Sequence, residues 1–155
     1  MEEIKIKEFK AEELKQFEVL QPIDVSEFEG ARVKIDLLEV IDVLTDFDET
    51  GKSIPGLQRL VKKLRISSEV LKTIDRGDGK EIKLRGTALF NLKRNENLNG
   101  EAIWGYTNHP NNKLNQFLKK MKTNSISELK GKFVTLTIRR SKDPNDTREY
   151  LSIVT

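Results

Sequence analysis

The sequence contains no cysteine. This removes disulfides, thiolate nucleophiles and cysteine-ligated zinc from consideration and fits a reducing intracellular setting. Histidine occurs once, at His109, so no pair of histidines can build a metal site. A serine triad would have to recruit that one imidazole, and no serine stands in a nucleophile-elbow pattern. Gly-rich phosphate loops of the nucleotide-binding types are missing as well. No apolar run approaches the roughly 20 residues needed to cross a bilayer, and Met1 leads into Glu2-Glu3-Ile4-Lys5 rather than a basic-then-apolar signal. The expectation is a soluble, cytoplasmic protein with no membrane contact, no metal, no cofactor and no catalytic activity. Asp36, Glu39 and Asp42 could be imagined around magnesium, but their spacing follows the solvent positions of a strand.

Charge, by contrast, is abundant and nearly balanced. Charged residues make up 34% of the chain, with 28 Lys+Arg against 25 Asp+Glu and a net charge of +3. So small a margin argues weakly for a polyanion partner, and any nucleic-acid footprint must come from where the cations sit. A length of 155 residues suits one domain with a complete core and is short for two. Near the start, Ala11, Leu14, Phe17 and Leu20 fall close to helical spacing and Gln21-Pro22 offers a stop, predicting a short N-terminal helix or arm.

Beyond that arm the periodicity is mostly two. From Val33 to Val43 the apolar set falls on odd positions (Val33, Ile35, Leu37), then even (Leu38, Val40), then odd again (Ile41, Val43). Strand side chains alternate faces strictly, so this slip demands bulges or a strand buried on both faces. Asp46-Phe47-Asp48-Glu49-Thr50-Gly51 imitates the start of a calcium loop, yet its twelfth position is Leu57 where a bidentate Glu is required, and a polar loop through Pro55-Gly56 is read instead. A second strand, Leu60 to Ile74, sets Leu64, Ile66 and Val70 against Lys63, Arg65 and Glu69. Asp75 to Lys80 turns the chain; its Arg-Gly-Asp tripeptide reads as turn chemistry rather than an adhesion motif. A third strand, Ile82 to Arg94, places Leu84, Ala88 and Phe90 inward and Lys83, Arg85 and Lys93 outward, and Ala102, Trp104 and Tyr106 suggest a short additional strand in a hairpin with it.

After Pro110 the period changes. Leu114, Phe117, Leu118 and Met121 fall at i, i+3, i+4, i+7, the mark of a helix over Asn112 to Lys122 with one buried stripe. Ser125 to Glu128 has capping-box form and Gly131 ends a short helical turn. Phe133 to Arg139 and Glu149 to Val154 complete the set as fourth and fifth strands, joined by a polar loop at Asp143-Pro144-Asn145-Asp146.

Strand–strand–strand–helix–strand–strand over about Gly30 to Val154 resembles the oligonucleotide/oligosaccharide-binding (OB) barrels of single-stranded-DNA-binding proteins. The resemblance implies an all-β fold with minor α: a five-stranded OB-like barrel with a helix between strands 3 and 4, the whole chain forming one domain with 1–29 as helix or arm. It further implies non-catalytic binding of single-stranded nucleic acid, DNA ahead of RNA, with low sequence specificity, across the second and third strands. The matching cations are Lys63, Arg65, Lys83, Arg85 and Lys93, bordered by Lys52, Arg139, Arg140, Lys142 and Arg148, with Trp104 and Tyr106 as stacking candidates. Outward Lys and Arg are also the ordinary solvated side of a barrel, and a lone Trp is often core. The competing expectation is therefore a protein-interaction barrel, an accessory subunit that meets its partner through a strand edge and the N-terminal helix.

Overall fold

The computed structural model describes residues 11–14, 23–77, 79–142, 144–146 and 148–155. Within these, the chain runs through β1 (Arg32–Thr45), β2 (Arg59–Ser68), β3 (Lys72–Asp75), β4 (Glu81–Leu84), β5 (Thr87–Asn91), β6 (Lys93–Glu96), β7 (Ala102–Gly105), α1 (Lys113–Lys120), β8 (Phe133–Arg140) and β9 (Glu149–Ile153). Five strands close a barrel in the order β1-β2-β5-β9-β8; β5 and β9 run parallel, and the other pairs antiparallel. The pairs β3-β4 and β6-β7 stand apart as two-stranded ribbons. The expected N-terminal helix falls outside the described residues, except for a single 3-10 turn at Ala11–Glu13. No helix among the described residues is long and apolar enough to cross a membrane.

The phase slip in the first strand has a structural cause. β1 pairs with β8 through Arg32, Val33 and Lys34, then with β2 from Ile35 onward, and its register shifts between Ile35 and Leu37. Asp36 is the extra residue of this bulge. It resets the alternation, so that Val33 and Ile35 are buried before it and Leu38 packs on the core after it. One strand thereby serves two neighbours and bends to close the barrel.

The two long strands read as Leu60–Ile74 and Ile82–Arg94 are each interrupted. β2 stops at Ser68, a fully buried serine whose hydroxyl accepts from Gly86 N at 2.9 Å and donates to the Glu69 carbonyl. Gly86 lies so close to Leu136 that a Cβ there would meet Leu136 Cδ2 at 2.2 Å. One further bond, from Glu69 N to the Lys34 carbonyl at 2.9 Å, ties the chain to β1 where β1 passes over to β8, and the chain then leaves the barrel as the β3-β4 ribbon. Periodicity of two continues through such a break, which is why sequence patterning merged the pieces.

α1 separates β5 from β8 in the barrel's own order, following the β6-β7 ribbon. Asn112 caps it by accepting from Asn115 N at 3.0 Å. Its stripe is buried as the spacing requires: Leu114, Phe117 and Leu118 are inside, and Met121 packs against the cluster. Phe117 stacks on Phe90 of β5 with ring centroids 5.3 Å apart. Of the capping box at Ser125, only part forms: the Ser125 side chain makes no cap, while the Glu128 carboxylate accepts from Asn124 N at 3.0 Å above a 3-10 turn at Ile126–Leu129.

Candidate nucleic-acid interface

With Leu64, Ile66, Ala88 and Phe90 buried, alternation turns Lys63 and Arg65 of β2 and Leu89 and Asn91 of β5 to the barrel's outer surface. Lys63 sits between Ile41 and Asn91 in register and has no carboxylate partner among the described residues. Arg65 differs. Its Nε and Nη2 donate to Glu39 Oε1 at 3.3 and 3.1 Å from the neighbouring strand. A pair this exposed contributes at most about 1 kcal/mol to stability, so its main effect is to cancel a positive charge on the face. One residue row away, Lys62 Nζ meets Asp42 at 2.6 Å.

Lys83 and Arg85 do not share a sheet with Lys63 and Arg65, contrary to the reading of a continuous third strand. Lys83 is exposed on β4, opposite Thr73 of the outlying ribbon. Arg85 lies between β4 and β5, where Nη1 contacts Asp36 at 3.3 Å and the Ser68 carbonyl at 3.1 Å. It braces the bulge of β1 against the end of β2. Lys93 is exposed on β6 opposite Gly105. Trp104, half-buried on β7, stands opposite Arg94, which itself pairs with Glu96 at 3.3 Å. Tyr106 is half-buried and packs against the hydrophobic core.

The border between β8 and β9 is also largely neutralised. Arg140 meets Glu149 at 2.9 Å, and Arg148 meets Asp146 at 2.9 Å. The Asp146 carboxyl is held well below the usual aspartate range, first by hydrogen bonds from Arg148 and further by the Tyr150 hydroxyl. Arg139 remains exposed without an acidic partner among the described residues, directly opposite Tyr150. Tyr150 is 45% exposed and Arg148 lies 5.8 Å from its ring centroid. Sequence reasoning overlooked this ring, although the signal was present: Leu151 and Ile153 are inward, so Tyr150 must face out.

In the loop after β1 the acidic residues serve the backbone. Asp46 accepts from Gln58 N at 3.0 Å, and Asp48 Oδ1 accepts from Thr50 N and Lys52 N, both at 2.9 Å. These bonds account for the calcium-like spelling of the segment as turn chemistry.

The fold and this surface define a mostly β protein with a closed five-stranded barrel and, among the described residues, one α-helix, compatible with an OB-like fold. The chain matches no family model, and neither a curated protein nor a solved structure is significantly similar to it.

Proposed function

We propose that the protein binds single-stranded nucleic acid without catalysis and with little sequence preference, DNA ahead of RNA, in a cytoplasmic setting and without a cofactor. The observation that carries this reading is the outer surface of β2, β5, β9 and β8. Lys63 of β2, diagonal to exposed Leu89, and Arg139 of β8, opposite exposed Tyr150, are cations there without acidic partners among the described residues, one to either side of the Thr87–Ser152 pairing. Single-strand binding uses this combination, cations for phosphates and apolar or aromatic surface for bases. Lys93 and Lys83 extend the positive surface onto the two ribbons, and half-buried Trp104 offers a further stacking edge. Preference for DNA follows the resemblance to single-stranded-DNA-binding barrels. The test is fluorescence anisotropy with mixed-sequence DNA and RNA oligonucleotides at low salt: binding weakened by Lys63→Glu and Arg139→Glu supports the face, and no binding to either polymer removes the function.

A second reading has its own observation. Val40, Leu44 and Leu60 are 58%, 61% and 53% exposed, and the pairing of Leu44 with Leu60 and of Val40 with Leu64 puts them on one side of the β1-β2 arm. An apolar row of this kind suits a protein-interaction barrel that acts as an accessory subunit. Salt separates the two, because phosphate neutralisation releases counterions and an apolar contact does not.

A further inference from the structure

Where β1 and β8 meet the end of α1, a cavity of about 410 Å³ opens. Its lining gathers four cations from separate parts of the chain: Arg32 of β1, Lys120 and Lys122 at the end of α1, and Lys132 just before β8. Among the described residues no acidic side chain lines it, and none pairs with these cations. Lys120 Nζ donates to a main-chain oxygen of Thr155, the last residue of the sequence, at 3.4 Å. The contrast with β2 is plain, since there the neighbouring strand supplies a carboxylate to Arg65. Gathered like charges repel one another and favour an anion among them. Phe133, 50% exposed, supplies an aromatic wall, with Lys34 Nζ 5.4 Å from its ring centroid.

The backbone supports the same conclusion. Lys122 takes φ +57° at the position after the helix cap, where Thr123 N bonds the Leu118 carbonyl and Lys122 N the Lys119 carbonyl, each at 3.0 Å. Glycine is the usual occupant of that position because an L side chain is strained there. This chain instead carries a lysine that reaches the cavity. Lys132 is fixed from both sides, its N–H donating to the Leu129 carbonyl at 3.0 Å and its carbonyl accepting from Ile35 N at 2.8 Å. These bonds fix the backbone positions from which the exposed Lys122 and Lys132 side chains extend.

We infer that this cavity binds a nucleotide unit, with its phosphoryl group among Arg32, Lys120, Lys122 and Lys132 and its base against Phe133. The site lies apart from the surface proposed above and does not depend on it. A free nucleotide and a nucleotide within a strand carry the same chemistry, so the experiment includes both. The full chain, followed by amide NMR, is titrated with dTMP, thymidine, inorganic phosphate and a short oligo(dT). dTMP is expected to move the Lys122, Lys132 and Phe133 amides and to bind more tightly than thymidine or phosphate. Lys122→Gly and Lys132→Gln should each weaken dTMP binding about tenfold, the scale of one charge-assisted hydrogen bond, while Lys122→Gly leaves the thermal midpoint unchanged or higher. An oligo(dT) affinity that falls with the same variants assigns the nucleotide to a strand, and one that does not assigns it to a free nucleotide; either supports the site. Unmoved amides, dTMP binding indifferent to both variants, or thymidine or phosphate binding as tightly as dTMP would overturn it. Lys63→Glu and Arg139→Glu should leave dTMP binding intact, which keeps a failure of the outer surface distinct from a failure here.

Discussion

At the scale of single residues, the electrostatics of the outer surface are set by which cations have an acid beside them. Glu39 holds Arg65 and Asp146 holds Arg148. If nucleic acid crosses this surface, Glu39→Gln should raise oligonucleotide affinity several-fold and steepen the log–log salt dependence by about 0.7, one further phosphate contact on a single strand. Its effect on stability should stay within about 1 kcal/mol because the pair is exposed. Parallel anisotropy and thermal melts measure both. For Asp146, the folded pKa is depressed below the ordinary aspartate value, so the ionised form is favoured by folding. That contribution is present above the ordinary value and is lost only as pH falls through the lower folded one. Acidification from neutrality to about pH 5 stays above the ordinary aspartate value and therefore leaves Arg148 paired. Asp146→Asn should free it at neutral pH and tighten oligonucleotide binding, while an affinity that rises in the wild type on mild acidification would contradict the assignment.

Elements are decided by packing. Phe117 is 2% exposed and stacked on Phe90, so Phe117→Ala should destabilise the protein by roughly 3–5 kcal/mol through lost burial and a residual cavity. Denaturant melts are the measure, and a near-wild-type midpoint would show that α1 does not close the core. Gly86→Ala tests the break between β4 and β5. The added methyl would press on Leu136, itself fully buried, and overpacking of this kind costs about 1–3 kcal/mol. Trp104 belongs to a ribbon of only two strands, and such a ribbon is marginal without support. Its truncation should therefore loosen β6-β7 locally and lower global stability far less than Phe117→Ala does. Hydrogen exchange on Arg94 and Asn95 reports the local effect, and global stability lost as fully as with Phe117→Ala would place Trp104 in the core.

For the whole molecule, the pairing of Arg65, Arg85, Arg140 and Arg148 with acids leaves fewer cations on the outer surface than outward alternation suggests. Two or three phosphate contacts, made by Lys63, Arg139 and Lys93, imply a log–log salt slope of about −1.5 to −2. A markedly steeper slope would mean that further cations, those of the β1-β8 cavity among them, take part. A partner bound with no salt dependence would favour the apolar row on the β1-β2 arm. Such a partner should be lost with Leu44→Lys, a change expected to leave oligonucleotide binding in place.

Local pattern alone determined a good deal of this protein. The shift from period two to 3.6 after Pro110 identified α1 and its buried stripe, and the slips along Val33 to Val43 called for bulges or a strand buried on both faces, of which the structure shows one register shift, between Ile35 and Leu37. Alternation assigned Lys63 and Arg65 to the outside for the same reason, that neighbouring strand residues point to opposite faces. Only the tertiary structure decided what those residues meet. The ends of β2 and β4 depend on Ser68, Gly86 and Leu136, which are distant in sequence and convey no periodic signal. The pairing of Glu39 with Arg65 and of Asp36 with Arg85 follows from strand register and from the bulge, and it turns an apparently basic face into a mixed one. Arg32 on β1, Lys122 just after α1 and Lys132 just before β8 converge only once β1 and β8 pair beside the end of α1. Faces are set by backbone geometry over a few residues, whereas the charge of a surface is a sum over chain segments that folding alone brings together.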